Sequence, residues 1–285
     1  MTSVTLEEFR KHKDFLICVD SDGCAVNNLT AKHRRCFGPC LIREWQLEKY
    51  QEKVLALWER INLYGLTRGI HRFRALEMAL EEIDERLTPV EELRDLTEWV
   101  ENTESFSVSA LRAAIDRKHA PILQKALRWS EAVNAAVAAL PWEEKRFFDG
   151  VEASLKFAGQ RADIAVLSSA NEDAVASEWA HAGLTGNVDI FLCQEGGSKT
   201  KYIAQLKQKG YADSSILMVG DAPSDLASAE LNGMAFYPIL AGREEESWRG
   251  FSQTVEMFYK GTYQPLERKL AEEFMMNLAG GQSHD

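Results

Sequence analysis

Nowhere in its 285 residues does the chain carry an apolar stretch long enough to cross a bilayer, nor an internal repeat or a low-complexity tract. No secretory signal is expected either: Met1 to Lys13 carries Glu7, Glu8, Lys11 and Lys13 ahead of only the short run Phe15 to Val19. A cytoplasmic protein is therefore expected. The five cysteines (Cys18, Cys24, Cys36, Cys40 and Cys193) are odd in number and lack paired spacing, which excludes a disulfide framework and leaves reduced thiols. Basic residues are outnumbered, 33 against 44 acidic, for a net charge of −11. Phosphate-backbone binding needs a basic face, so nucleic acid is not expected as a partner, and without a membrane-length apolar stretch neither is a membrane. An anionic substrate would need help from a metal or from locally clustered cations.

What is present is ordinary for a globular protein, with 45% apolar and 27% charged residues. The length suits a core domain with one sizeable insertion. Short apolar runs that end abruptly in polar turns read as buried strands: Phe15 to Val19 before Asp20-Ser21-Asp22-Gly23, Ile164 to Leu167 before Ser168-Ser169, Val188 to Cys193, and Ile216 to Val219 before Gly220-Asp221. Ala235 to Leu240 is a further strand. Helices lie between them. Asn171 caps one through Ala182 that Gly183 ends, Ser198 caps one ended by Gly210, and Ala222 to Asn232 is closed by Gly233. Alternation of this kind predicts an α/β fold, a doubly wound, Rossmann-like parallel sheet covered on both faces.

Roughly 140 residues separate Gly23 from Ile164, against the ~12 that a crossover needs, so an all-helical domain is inserted there. The expected division is 1–29 and 147–285 for the core and 30–146 for the insertion. Helical periodicity runs through Leu41 to Tyr64, Ile70 to Leu87, Val90 to Val100 and Ile122 to Leu140. Thr88-Pro89-Val90-Glu91 predicts a capped helix start at Pro89. The acidic run Glu81 to Glu104 reads as a solvated face. Gly150 permits a sharp turn where the chain re-enters the core; the region from Ser247 onward is helical, and Gly280 to Asp285 should fray.

In an open parallel sheet, ligands bind beyond the carboxyl ends of the strands. Asp20, Asp22, Ser168, Lys199, Asp221 and Asp225 all fall there, gathered from segments some 200 positions apart. Carboxylates packed together repel unless a cation sits among them, and oxygen-only ligation with room for water and phosphate suits Mg²⁺. A carboxylate beside such an ion can attack phosphorus and form an aspartyl-phosphate.

These motifs resemble those of the haloacid dehalogenase superfamily, in its phosphatase-like branch, over positions 14–29 and 150–240. The resemblance implies that Asp20 is nucleophile and metal ligand, and that Asp22 is the acid/base residue whose backbone carbonyl also reaches the metal. It implies that Ser168 holds a phosphate oxygen, with Ser169 beside it on the substrate, and that Lys199 is the phosphate lysine, although Lys201 is close enough to compete. Asp221 is implied as a ligand, and Asp225 as a ligand or the support of one. Insertion after the first motif is where this superfamily places helical caps. Asp22 disfavours carbon-attacking dehalogenases, which lack it. Cys24 stands where Thr or Ser is usual, and Asn27 where many relatives carry aspartate.

The function that follows is hydrolysis of a small phosphorylated metabolite. A phosphosugar mutase would use the same carboxylates while excluding water, and a binding protein on a retired enzyme fold would lack one of them. Arg68, His71, Arg72 and Arg74 form a basic island, as do Lys32 to Arg35. Solvated charge accounts for both, and Arg68 and Arg72 are the residues to test against a substrate's anionic end. His33, Cys36 and Cys40 lack a fourth zinc ligand and read as buried structural groups. Trp45, Trp58 and Phe73 read as core.

Overall fold

The computed structural model describes residues 4–193 and 197–280. These described residues form two compact units, one of those up to 28 and from 142 onward, the other of residues 29–141.

The first unit is built on a five-stranded sheet. Its strands are β1 (Phe15–Asp20), β4 (Ala162–Leu167), β5 (Ile190–Leu192), β6 (Ile216–Gly220) and β7 (Ala235–Pro238), in spatial order β5-β4-β1-β6-β7. All four pairings are parallel. The continuous apolar runs have the reason expected of them. Ile17, Val19, Ile164, Val166, Leu217 and Val219 pack on one face with Trp179, Trp248 and Phe251, while Leu16, Cys18, Ala165, Leu167, Ile216 and Met218 pack on the other with Leu206 and Phe274. Alternate residues of each strand thus bury in opposite directions, as a sheet covered on both faces requires. A separate antiparallel pair, β2 (Val26–Asn27) with β3 (Arg146–Phe147), joins the segments on either side of the insertion.

Local chemistry sets the helix ends. Asn171 accepts from the Ala174 N–H and Ser198 from the Lys201 N–H, each satisfying an orphan amide of the first turn. Gly150 opens its helix at φ 95°, a conformation other residues resist. The C-terminal region forms helices Glu244–Tyr259 and Gln264–Gly280. Of the tail expected to fray, Gly281 to Asp285 lie outside the described residues.

The second unit is helical, with a one-turn π-helical stretch at His33–Phe37 and helices Gly38–Trp45, Gln51–Asn62, Arg72–Arg86, Leu93–Asn102, Val108–Lys118 and Pro121–Ala138. Trp58 and Trp129 stack edge-on at 5.8 Å in its core, and Phe73 meets Trp99 at 5.1 Å. Cys36 and Cys40 are buried there as free thiols, and His33 accepts from the Trp58 indole N–H at 3.0 Å.

Three readings need correction. Leu41 to Tyr64 is not one helix: Gln46 turns left-handed at φ 56°, and the Leu47 N–H returns to the Ile42 carbonyl so that Leu47 can bury in the core. No helix starts at Pro89. The Val90 N–H bonds instead to Asp84 Oδ1 at 2.7 Å, Glu92 is left-handed, and helix begins at Leu93. The last strand ends at Pro238 rather than Leu240. Helix Val108–Lys118, capped by Ser107, was not foreseen.

Candidate active site

Register alone assembles the site. Val19 pairs with Val219 and Asp20 with Leu167, so Asp20, Ser168 and Asp221 all emerge at the same end of three adjacent strands. The strand order reverses at β1, where a crevice opens in sheets of this kind. Asp20, Asp221 and Asp225 are buried, and each can offer a carboxylate oxygen within 4.8 Å of the others.

Lys199, first residue of helix Lys199–Lys207, reaches into this cluster. Its ammonium lies 2.8 Å from Asp20 Oδ2 and 2.7 Å from Asp225 Oδ1. Lys201 is exposed, so the geometry separates the two lysines that spacing left open. The other Asp20 oxygen accepts from the Ser21 N–H at 2.7 Å. Asp225 Oδ2 accepts from the Ala222 N–H at 3.1 Å, folding the aspartate back over the preceding turn. Gly220 makes room for that. A Cβ there would stand 2.4 Å from both Cβ and Oδ2 of Asp225.

Burial pushes the Asp20 carboxyl well above the ordinary carboxylate range; the Lys199 ammonium opposes this, and Asp225 and Asp221 add to it. For Lys199, burial acts to lower the pKa, but Asp20 and Asp225 more than offset it and the ammonium stays charged. Burial, reinforced by Asp221, likewise keeps the Cys24 thiol protonated, and its sulfur contacts the Val219 carbonyl at 3.6 Å.

Ser168 is buried and its Oγ accepts from the Ala170 N–H at 3.1 Å, while Ser169 is exposed. The Asp22 carboxylate does not belong to the three-carboxylate cluster. It is partly exposed and accepts from Asn28 Nδ2 at 2.7 Å; the same nitrogen donates to Glu178 at 2.9 Å. Trp179, next to Glu178, donates to Ser21 Oγ at 3.0 Å. Asn28 and Glu178 escaped the sequence reading. The available signal was position: Val175, Glu178 and Trp179 share the buried face of helix Glu172–His181, where a glutamate is out of place.

Arg68 and Arg72 lie in the helical unit and are engaged within it. Arg68 is buried and donates to the Leu63 carbonyl, and Arg72 donates to Asn134 and sits over the Phe37 ring.

Set against known proteins, residues 73–239, more than half of the chain, match the model of one family, described as haloacid dehalogenase-like hydrolase. The chain belongs to the haloacid dehalogenase-like hydrolases. No curated protein matches it. Among solved structures, a haloacid dehalogenase-like hydrolase of Bacteroides fragilis shares the fold at 12% identity and TM-score 0.50, over 82% of this chain and 93% of that one. A haloacid dehalogenase-like family hydrolase of Xanthomonas campestris aligns at 13% identity over 93% of this chain and 99% of that one, TM-score 0.49. A HAD-hydrolase of Bacillus subtilis, solved bound to magnesium, aligns at 13% identity over 79% and 86%, TM-score 0.43.

The donor set of this hydrolase fits a divalent cation. Three buried carboxylates lie together, and two of them, Asp20 and Asp225, share the Lys199 ammonium, in a place shielded from water. All three offer oxygen, the ligand of hard ions. No helix among the described residues is long and apolar enough to cross a membrane.

Proposed function

We propose that this hydrolase is a Mg²⁺-dependent phosphatase of small phosphorylated metabolites, with Asp20 as its nucleophile. The observation that carries this is the position of Asp20: a buried carboxylate at the end of the central strand, 2.8 Å from Lys199 and clustered with Asp221 and Asp225.

In the first step an Asp20 oxygen bonds to phosphorus as the ester P–O bond breaks, and Asp22 gives a proton to the departing oxygen. In the second step Asp22 takes a proton from water, whose oxygen attacks the aspartyl-phosphate. Inorganic phosphate leaves and Asp20 is restored. Ser168 accepts from the Ala170 N–H with one of its two lone pairs, which leaves its hydroxyl hydrogen to donate to a phosphoryl oxygen. Ser169 joins it on the substrate. Lys199 neutralises charge on the transferring group. Asp20, Asp221 and Asp225, with the Asp22 backbone carbonyl, would hold Mg²⁺, which when bound offsets the negative charge that otherwise keeps a phosphate out.

We read the helical unit, residues 29–141 rather than the 30–146 expected from sequence, as the cap that selects the substrate, and Arg68 and Arg72 are the replacements that test this. For the chemistry itself, Asp20→Asn is expected to abolish Mg²⁺-dependent release from p-nitrophenyl phosphate, by on the order of 10⁴-fold or more, in a folded protein. EDTA should stop the wild type and Mg²⁺ restore it. Activity retained by Asp20→Asn would remove the nucleophile assignment.

A further inference from the structure

We propose that Asn28, anchored by Glu178, is a positioning residue that orients Asp22 for proton transfer; this rests on the phosphatase reading above.

Asn28 is fully buried and follows β2, its own N–H bonded to the Val26 carbonyl. Its amide nitrogen carries two hydrogens. One goes to Asp22 Oδ1 at 2.7 Å and the other to Glu178 Oε2 at 2.9 Å. In this arrangement the nitrogen, not the amide oxygen, faces both carboxylates. Two anchors define the plane of the amide, and that plane in turn defines where Asp22 Oδ1 sits. Proton exchange with the leaving oxygen then falls to Asp22 Oδ2.

Glu178 is a costly residue for its place. It sits 3% exposed beside Val175 and Trp179 on the apolar face of its helix, where a carboxylate gives up hydration. What it gains is hold over Asn28. The adjacent Trp179 donates to Ser21 Oγ, so a single turn of this helix secures both residues after the nucleophile, Ser21 directly and Asp22 through the Asn28 amide. The turn is further closed by the Ala25 and Val26 amides on the Ser21 carbonyl. With the loop backbone held independently, the Asn28 amide acts on the orientation of the Asp22 side chain rather than on the path of the chain.

General acid help matters only when the leaving oxygen is a strong base, and this gives a readout that a loss of structure does not move. We compare kcat/KM for phenyl phosphate, whose phenolate must be protonated, with that for 2,4-dinitrophenyl phosphate, whose anion leaves unaided. Asn28→Ala is expected to lose about 30-fold or more on the first and no more than about threefold on the second. Glu178→Ala should skew the same ratio, and Glu178→Gln, which keeps an oxygen acceptor for the amide, should restore it. Should Asn28→Ala fail to fold, the two Glu178 variants decide the matter alone. Equal losses on both esters, in variants whose wild type is active, overturn the positioning role and leave the phosphatase standing. A wild type inactive on both, with Mg²⁺ present, overturns the phosphatase reading and this inference with it.

Discussion

Both units of this protein bury an apolar core, but they differ in the charged groups they gather inside. In the helical unit, Phe37, Trp58, Phe73 and Trp129 form one aromatic cluster, and ion pairs such as Arg94–Glu98 and Arg112–Glu131 stay on the surface. The sheet unit instead draws Asp20, Asp221, Asp225 and Lys199 out of water and into contact. Apolar burial adds to stability at every residue, whereas gathered like charges subtract from it unless something neutralises them. Both units draw stability from an apolar interior, and the sheet unit gives some of it up to gather carboxylates where a cation can meet them.

The sharpest way to break this contrast is from the helical side. Trp58→Ala removes a fully buried indole and its hydrogen bond to His33, and is expected to cost about 3–5 kcal/mol in a denaturant titration. A cost near zero would mean that the aromatic cluster does not hold the unit together. On the sheet side, Gly220→Ala forces the buried Asp225 away from the space a Cβ would take, and should lower kcat/KM on the order of 100-fold while costing about 1–3 kcal/mol in a denaturant titration.

A subtler test uses pH. The folded-state pKa of Asp20 is raised, chiefly by burial, so its ionised form costs stability at neutral pH, and the cost fades as pH falls and the folded protein takes up the proton. In EDTA at pH 7, Asp20→Asn should therefore be more stable than wild type, by on the order of 1 kcal/mol, with the gap narrowing toward acid. A gap of opposite sign, or one independent of pH, would contradict the idea that this carboxylate is held at a cost. Smallest of all, Glu98→Gln loosens the exposed pairs to Arg94 and Lys118 and should leave the melting temperature unchanged.

Three of the residues placed from sequence share one property: they follow apolar runs. Asp20, Ser168 and Asp221 could be placed because a buried strand announces itself by composition and its polar successor must lie at its end. Lys199 and Lys201 could not be told apart by spacing. Two positions apart on a helix they point in very different directions, so only one can reach Asp20. The false helix start at Pro89 shows the limit of local signals, since a carboxylate from the preceding helix, Asp84, took the Val90 amide that a cap would have used. Asn28 and Glu178 were invisible as a pair because 150 positions of chain separate them.

By itself, then, the amino-acid order determined where strands and most helices lie, that a helical segment interrupts an α/β core, and which side chains stand at strand ends, because these depend on periodicity and on neighbours a few residues apart. Only tertiary structure decided which lysine joins the carboxylates, that Gly220 yields its space to Asp225, and that a buried glutamate reaches Asp22 through an amide. Those are contacts between remote segments, and a hydrogen bond depends on ångström distances that no local pattern encodes.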